Sequence, residues 1–406
     1  MELGLSFLVT ASILGFYMAW NIGANDMANS MASAVGAEAI TLKQAIFIGS
    51  ILCFIGATFV GSHVTETIKK GIVDPSTVGN LEVMIKGLLA SLIAASLWIT
   101  FSTWFAWPVS TTHSIVGALV GFGLFTAGVN SINWPKLAGV VISWVTSPLF
   151  AGILGFVIFK IIRKFILLAE NRKKASIRII PIFAALTVFI VACSLLFKTT
   201  IGEALEFSLA VSLIFSLIAA IIGYVLAFVG VRNIIKTGKE VEDMFRMIQV
   251  MTSCYIAFSI GTNDVANAIG PIAGIFNVIK SGNLQSTVEV SVTLLALGGA
   301  GIAVGIYTWG YRVIETVGRK ITHLTNSRGF SIDFSAATSV LLASKLGMPV
   351  STTHAVIGAV CGVGLARGLD AVDFRIVKKI IISWIATIPV AAITSILFFK
   401  LFMWLF

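Results

Sequence analysis

Apolar residues run along this chain in blocks much longer than one face of a soluble helix would need. Stretches such as 205–228 and 376–406 are almost uninterrupted. About 20 apolar residues cross a hydrocarbon core of roughly 30 Å as a helix. The blocks predict spans at about 3–35, 43–62, 137–162, 177–197, 206–230, 248–276, 286–310 and 379–405. Two further helix pairs, 83–105 with 108–127 and 331–347 with 349–365, each meet at a Pro-Val-Ser-Thr-Thr-His turn. The pattern describes an all-α polytopic membrane protein of about 12 helices, embedded in a lipid bilayer.

Composition agrees. Hydrophobic residues make up 57% of the chain and charged residues 11%, against about 25% charged in a soluble domain. A water-soluble enzyme is excluded for want of polar surface. The net charge of +10 does not indicate nucleic acid, because the bases gather in short connectors between spans, where the positive-inside rule places them. The basic connector 160–178 is therefore assigned to the cytoplasm. Cys53, Cys193, Cys254 and Cys361 stand singly in apolar stretches and read as small core residues. The first 20 residues carry no Lys or Arg and so lack the basic start of a cleaved leader. They read as a retained first span.

The chain also repeats itself. NIGANDMANSMA at 21–32 returns as SIGTNDVANAIG at 259–270, WPVSTTHSIVGALVGFG at 107–123 as MPVSTTHAVIGAVCGVG at 348–364, and ISWVTSP at 142–148 as ISWIATIP at 382–389. Order and spacing are kept, each copy lying about 240 residues on. The expected organisation is an N-terminal repeat, 1–165, a linking region of spans and cytoplasmic loops, 166–247, and a C-terminal repeat, 248–406. If each helix pair enters and leaves on one side, most bases fall in cytoplasmic loops and the two repeats have opposite orientations, with both termini outside. Limbs as short as 17 residues favour re-entrant helical hairpins. Inverted-topology repeats with broken helices are the architecture of secondary transporters, whose site lies near the midplane between repeats.

Asp26 and Asp264 carry the sharpest chemical signal. Each lies inside an apolar span beside asparagines, Asn25 and Asn29 or Asn263 and Asn267, and no Lys or Arg stands within either motif. An acid at the bilayer centre costs about 2.5–3.5 kcal/mol on insertion scales, so a mobile cation is the natural partner for these oxygen ligands. Gly23, Ala24, Ala28, Gly261 and Ala266 would let the backbone unwind there. The alternative is a helix–helix clamp built on a protonated Asp. The turns complement the acids. Pro108 and Pro349 suit a first helical turn, and Ser110, Thr111, Thr112, Ser351, Thr352 and Thr353 follow as hydroxyl donors at helix N-termini, where anions bind. Two opposed turns can enclose one tetrahedral oxyanion; a single turn can equally be a plain cap.

Other residues say less. His113 and His354 read as neutral partners that stiffen the turns, and His63 and His323 lie near loop ends. Trp107, Trp144, Trp309 and Trp384 read as interface or packing residues. Asp333 reads as a charge at a helix N-terminus, and 232–246 as a cytoplasmic surface helix.

GANDMANS and GTNDVANA, each followed by PVSTTH, resemble the signature of the inorganic phosphate transporter (PiT) family over both repeats. The resemblance implies sodium-coupled symport of inorganic phosphate by alternating access at the plasma (inner) membrane, frequently by a homodimer, with sodium as co-transported ion and no organic cofactor. It places Asn25, Ser110, Thr111, Thr112, Asn263, Ser351, Thr352 and Thr353 around phosphate, and Asp26, Asn29, Asp264, Asn267, Asn25 and Asn263 around sodium. The chain departs from the pattern at Met27 and Ser30. Cys53 stands where many animal relatives have Glu, and Asp333 matches a second acidic position of those relatives; their long cytoplasmic loop is missing. The competing readings are a proton-coupled phosphate or sulfate permease of the same fold and a passive anion channel. A membrane-embedded hydrolase has no nucleophile–base pair to support it.

Overall fold

Helix boundaries follow caps that the sequence supplies. In the computed structural model, which describes residues 2–61, 72–198, 207–282, 290–345 and 350–405, the chain forms fourteen α-helices, and one isolated bridge joins Val73 to Ile132. His63 and Pro349 lie outside the described residues. The first five helices are α1 (Glu2–Gly36), α2 (Leu42–Val60), α3 (Pro75–Val78), α4 (Leu81–Trp104) and α5 (Thr111–Ala127). Next come α6 (Trp134–Ile162), α7 (Arg172–Lys198), α8 (Leu209–Lys236) and α9 (Val241–Ser281). The last five are α10 (Val292–Trp309), α11 (Tyr311–Glu315), α12 (Asn326–Lys345), α13 (Thr352–Leu365) and α14 (Phe374–Leu405). Thr41 and Gln44 form a capping box that starts α2. Gly282, at φ +63°, ends α9 with its N–H on the Val278 carbonyl.

Eight of these helices are long and apolar enough to cross a membrane: α1, α2, α4, α6, α7, α8, α10 and α14. The 41-residue α9 is about 60 Å long, but it is too polar to stand among them. Its Gln249, Thr252, Ser253, Asp264 and Asn267 are buried against protein, so lipid never meets them. α4 has 24 residues and is apolar enough to cross on its own.

The helices pack in exchanged pairs. α1 lies along α10 and α9, and α9 lies along α2; α6 supports α12 and α13, while α14 supports α4 and α5. Small residues permit this. A Cβ at Gly23 would collide with the Ile302 carbonyl, and one at Gly305 with the Trp20 carbonyl. The matching crossing sets Gly261 on the Cys53 carbonyl and Gly56 on that of Phe258. Backbones approach this closely only where both surfaces lack side chains, as is usual where helices associate in lipid. α7 and α8 pair with each other, and Phe183, Val231, Phe245 and Phe330 build a smaller core where they meet α9 and α12.

Two expectations are corrected. Residues 232–246 are not a separate surface helix: α8 runs on to Lys236, Gly238 turns the chain at φ +79°, and α9 starts at Val241. Nor does the backbone unwind at the Asn-Asp motifs, since α1 and α9 pass through them as continuous helix. The glycines there serve interhelical contact, and the polar side chains find partners sideways.

Gly305→Ala should therefore push α10 off α1, and overpacking of this kind costs about 1–3 kcal/mol. Gly139, on α6, has open space where a Cβ would go, and alanine there gains about 1 kcal/mol of helix propensity. Thermal unfolding of the purified variants should show a lower midpoint for Gly305→Ala and an equal or higher one for Gly139→Ala.

Candidate functional site

The site forms where α1 and α9 meet the N-termini of α5 and α13. Ser110 and Ser351 are the N-caps, accepting the backbone N–H groups of His113 (3.2 Å) and His354 (3.3 Å). The serines therefore cap α5 and α13. The threonines project toward the motifs on α1 and α9.

Asp26, 1% exposed, accepts the Thr111 hydroxyl at 2.9 Å and the Asn29 amide at 3.1 Å. Asp264, 5% exposed, accepts Thr352 at 3.4 Å. Each acid thus bonds the turn of its own repeat. Each asparagine three residues on reaches across to the other turn. Asn29 donates to Thr353 at 2.9 Å, and Asn267 to Thr112 at 3.1 Å and Thr111 at 3.3 Å. Thr111 Oγ1 therefore joins the two motifs. Among the described residues, no Lys or Arg pairs with either acid. The Asn29 Oδ1 is buried without a hydrogen-bond partner. What results is a pocket of oxygen donors, two of them acidic, between two helix N-termini: a hard cation has its ligands here, and an anion has hydroxyls and helix dipoles.

Asn25, expected among the ligands, also holds the first turn. Its amide nitrogen donates to Thr103 Oγ1 (2.8 Å) and the Trp107 carbonyl (3.0 Å), and its oxygen accepts the Val109 N–H (3.1 Å). Both amide hydrogens are used, so Asn25 ties down the turn. The turn needs holding, because Ala106 sits at φ +56°, a region that disfavours side chains with a Cβ. Asn263, its counterpart, is half-buried and donates to Ser259 Oγ at 3.1 Å.

Asp333 is also corrected. α12 begins at Asn326, so Asp333 lies in its interior, 1% exposed, and does not mark a helix start. It accepts Ser33 at 2.6 Å, Ser253 at 2.5 Å and Thr252 at 3.5 Å. Sequence reading missed this cluster because it has no repeat: the position corresponding to Asp333 in the first half is Leu92. Spaced serines at 327, 331, 335 and 339 were the available sign of a polar face. Cys53 gives its thiol to the Ala257 carbonyl at 3.0 Å and packs α2 on α9. Behind the turns, His113 and His354 meet edge to face at 4.5 Å. His354 bonds the Trp144 carbonyl through Nδ1 at 3.2 Å.

An all-helical bundle with eight helices apolar enough to cross a membrane and a buried polar centre is the build of an integral membrane protein, and the family it matches is one of transporters, not enzymes. Residues 22–395 match the phosphate transporter family, and the chain belongs to it. A protein of Pyrococcus abyssi provisionally designated a phosphate permease is 48% identical over 400 residues, 97% of this chain and 98% of its own length. The chloroplastic inorganic phosphate transporter 2-1 of Arabidopsis thaliana is 40% identical, over 96% of this chain and 71% of its own. A solved structure titled as the sodium-dependent phosphate transporter superposes with a TM-score of 0.91 at 46% identity, covering 99% of this chain and 100% of that one.

Asp26→Asn and Asp264→Asn should each lower phosphate uptake by roughly tenfold or more, the size of one lost charge-assisted bond. Both proteins should elute as wild type in size-exclusion chromatography. Uptake at the wild-type rate in either variant would remove that acid from the site.

Proposed function

We propose that this chain is a secondary active transporter that carries inorganic phosphate with sodium by alternating access. The observation that supports it is the pair of buried acids without basic partners, set between two hydroxyl-bearing helix N-termini. Sodium satisfies Asp26, Asp264 and the amide oxygens of Asn29 and Asn267. Phosphate takes the hydroxyls of Thr111, Thr112, Thr352 and Thr353, with Ser110 and Ser351 shaping the turns. Phosphate near neutral pH carries between one and two negative charges, and bound cations offset them in a low-dielectric centre. The name of the structural relative, a sodium-dependent phosphate transporter, points the same way.

In this reading 1–165 and 248–406 are inverted repeats, with α4–α5 and α12–α13 as re-entrant hairpins and 166–247 as the link. The exchanged helix contacts support it: a two-fold axis in the membrane plane would make each repeat's last long helix brace the other's hairpin, as α6 and α14 do. Both termini then face outward at the plasma membrane. A homodimer belongs to the proposal on the family resemblance alone.

Uptake of radiolabelled phosphate into proteoliposomes, with an inward sodium gradient imposed or omitted at fixed pH, tests the coupling. Accumulation above the external concentration should require sodium. Equal accumulation without it would favour protons as the driving ion, and mere equilibration would indicate a channel.

The double substitution Thr111→Val/Thr352→Val should raise the half-saturating phosphate concentration by well over roughly tenfold, since two hydrogen bonds to a charged group are lost. The sodium requirement should change less, apart from the reciprocal effect of coupled ligands. Unchanged phosphate binding by the purified variant in saturating sodium would take the hydroxyl turns out of the site.

A further inference from the structure

Away from the polar centre, three arginines from distant parts of the chain come together. Arg163 follows directly on the end of α6, Arg328 lies in the first turn of α12, and Arg367 stands two residues past the end of α13. Arg328 and Arg367 donate to the same atom, the His323 carbonyl oxygen, at 3.0 and 3.2 Å. Arg163 donates at 3.4 Å to the carbonyl of Ala366, next to Arg367 in the chain. The Arg328 guanidinium also lies 5.9 Å from the centre of the Phe159 ring, one helical turn before Arg163. The His323 ring joins them, with Nδ1 3.3 Å from Arg328 Nη1.

The cluster has no acid to match its charge. Among the described residues, no Asp or Glu forms an ion pair with any of the three. Glu242 comes to the same helix start, but its two oxygens take the backbone N–H and the hydroxyl of Ser327, at 2.8 and 2.7 Å. The N-terminus of α12 is thus already capped by a carboxylate, and the arginines stay unmatched. Every side-chain hydrogen bond they make among the described residues comes from Nη1 and goes to a neutral oxygen or to the His323 ring. A guanidinium has five N–H donors in a fixed fork, so each Nη2 keeps both of its own. The Arg328 Nε is buried and has no partner either. The positive-inside rule accounts for single bases at a membrane boundary. It does not account for three fastened together through backbone carbonyls, where like charges repel.

We propose that Arg163, Arg328 and Arg367 form a second anion site, for a phosphoryl group, where α12 starts and α13 ends. Arginine forks match phosphate oxygens bidentately, and three of them suit a group with several charged oxygens. The polar centre differs in kind, because its donors are neutral. Two sources carry this chemistry: the headgroup of an anionic phospholipid, and free phosphate. Leu168 and Leu369, close to the arginines in the chain and 67% and 72% exposed, offer apolar surface for acyl chains. Basic pockets between membrane helices on the cytoplasmic side bind anionic headgroups. The cytoplasmic placement of Arg163 rests on the orientation proposed above, whereas the binding does not. Because α6 comes from one repeat and α12 and α13 from the other, a group held by all three arginines pins the ends of α12 and α13 to the helix that braces them.

The test uses the full chain purified in a maltoside detergent, which has no phosphoryl group. The thermal midpoint is followed against three probes: dioctanoyl phosphatidylglycerol, dioctanoylglycerol (the same lipid without its phosphoryl headgroup) and inorganic phosphate. Each is titrated into wild type, Arg163→Gln, Arg367→Gln and, as a charge control elsewhere, Lys236→Gln. Arg328 is left intact because its half-buried side chain packs on Phe159. Each arginine variant should raise the half-effective concentration of the phosphoryl probe by roughly tenfold, the size of one charge-assisted hydrogen bond, and Lys236→Gln should leave it unchanged. A rise for phosphatidylglycerol alone identifies the lipid headgroup as the source, and a rise for phosphate identifies the free ion. Phosphate also fits the polar centre, so its titrations are repeated in Thr111→Val/Thr352→Val; an arginine effect that persists there belongs to the second site. Equal stabilisation by dioctanoylglycerol would overturn the proposal. So would half-effective concentrations of both phosphoryl probes that neither arginine variant moves, or that Lys236→Gln moves as far. The readout is binding to solubilised protein, so failure of sodium-coupled uptake is seen separately and leaves this result standing.

Discussion

Two buried carboxylates with no base beside them govern this structure. In a medium of low dielectric constant, an acid is held either by donors that stabilise its charge or by a cation. Asp26 receives a hydroxyl and an amide, and Asp264 a hydroxyl. The two hydroxyls sit on the turns that start α5 and α13, so the acids tie both turns to α1 and α9. The polarity of α9 and the burial of its middle follow from the same requirement. A helix bearing Asn263, Asp264 and Asn267 has to be surrounded by protein, which the exchanged packing of α1, α2, α4 and α12 around it provides.

That packing depends on the absence of side chains. At the crossings of α1 with α10 and of α9 with α2, glycine stands on both helices and backbones meet carbonyl to Cα. Close approach places Asn29 within reach of Thr353, and Asn267 within reach of Thr112, across the two halves of the chain. The polar centre is therefore cross-wired: each acid takes a threonine hydroxyl of its own sequence repeat, and each neighbouring asparagine reaches a threonine of the other. Moving one turn disturbs the acid on one side and the asparagine on the other. This is a physical route by which occupancy of one half can be felt by its partner, and it consists of hydrogen bonds between named atoms.

Much of the architecture was legible because it is written twice. Long apolar blocks gave the spans, and polar residues kept in step over about 240 positions marked the acids and turns that meet at the centre. What occurs once was not legible. Asp333, on α12, draws Ser33 from α1 and Thr252 and Ser253 from α9, and no repeat drew attention to it. The holding role of Asn25 was not legible for a different reason. Its type and position are those of a ligand, but only the fold shows that all of its amide hydrogens are donated to Thr103 and Trp107. Helix continuity through the motifs was misjudged because glycine next to polar residues signals an unwound backbone as readily as a close helix crossing. The neighbouring carbonyls, distant in sequence, decide between them.

Neutral donors at an anion site have a consequence for the unloaded carrier. Had arginines been used to bind phosphate, an empty site would leave cations buried and unpaired, at a cost of several kcal/mol each, and the return step would be slow. Hydroxyls avoid this. In the structure, Thr111 and Thr352 donate to Asp26 and Asp264, and Thr353 and Thr112 accept from Asn29 and Asn267. Under the proposed function, these are the same hydroxyls that bind phosphate. Loading is then an exchange of partners, in which sodium takes over the acids while the threonines turn to the anion. Neither the empty nor the fully loaded site leaves a buried basic side chain unpaired. A site holding phosphate without sodium would set the anion against two bare carboxylates, and that repulsion provides a physical reason for the two ligands to move together.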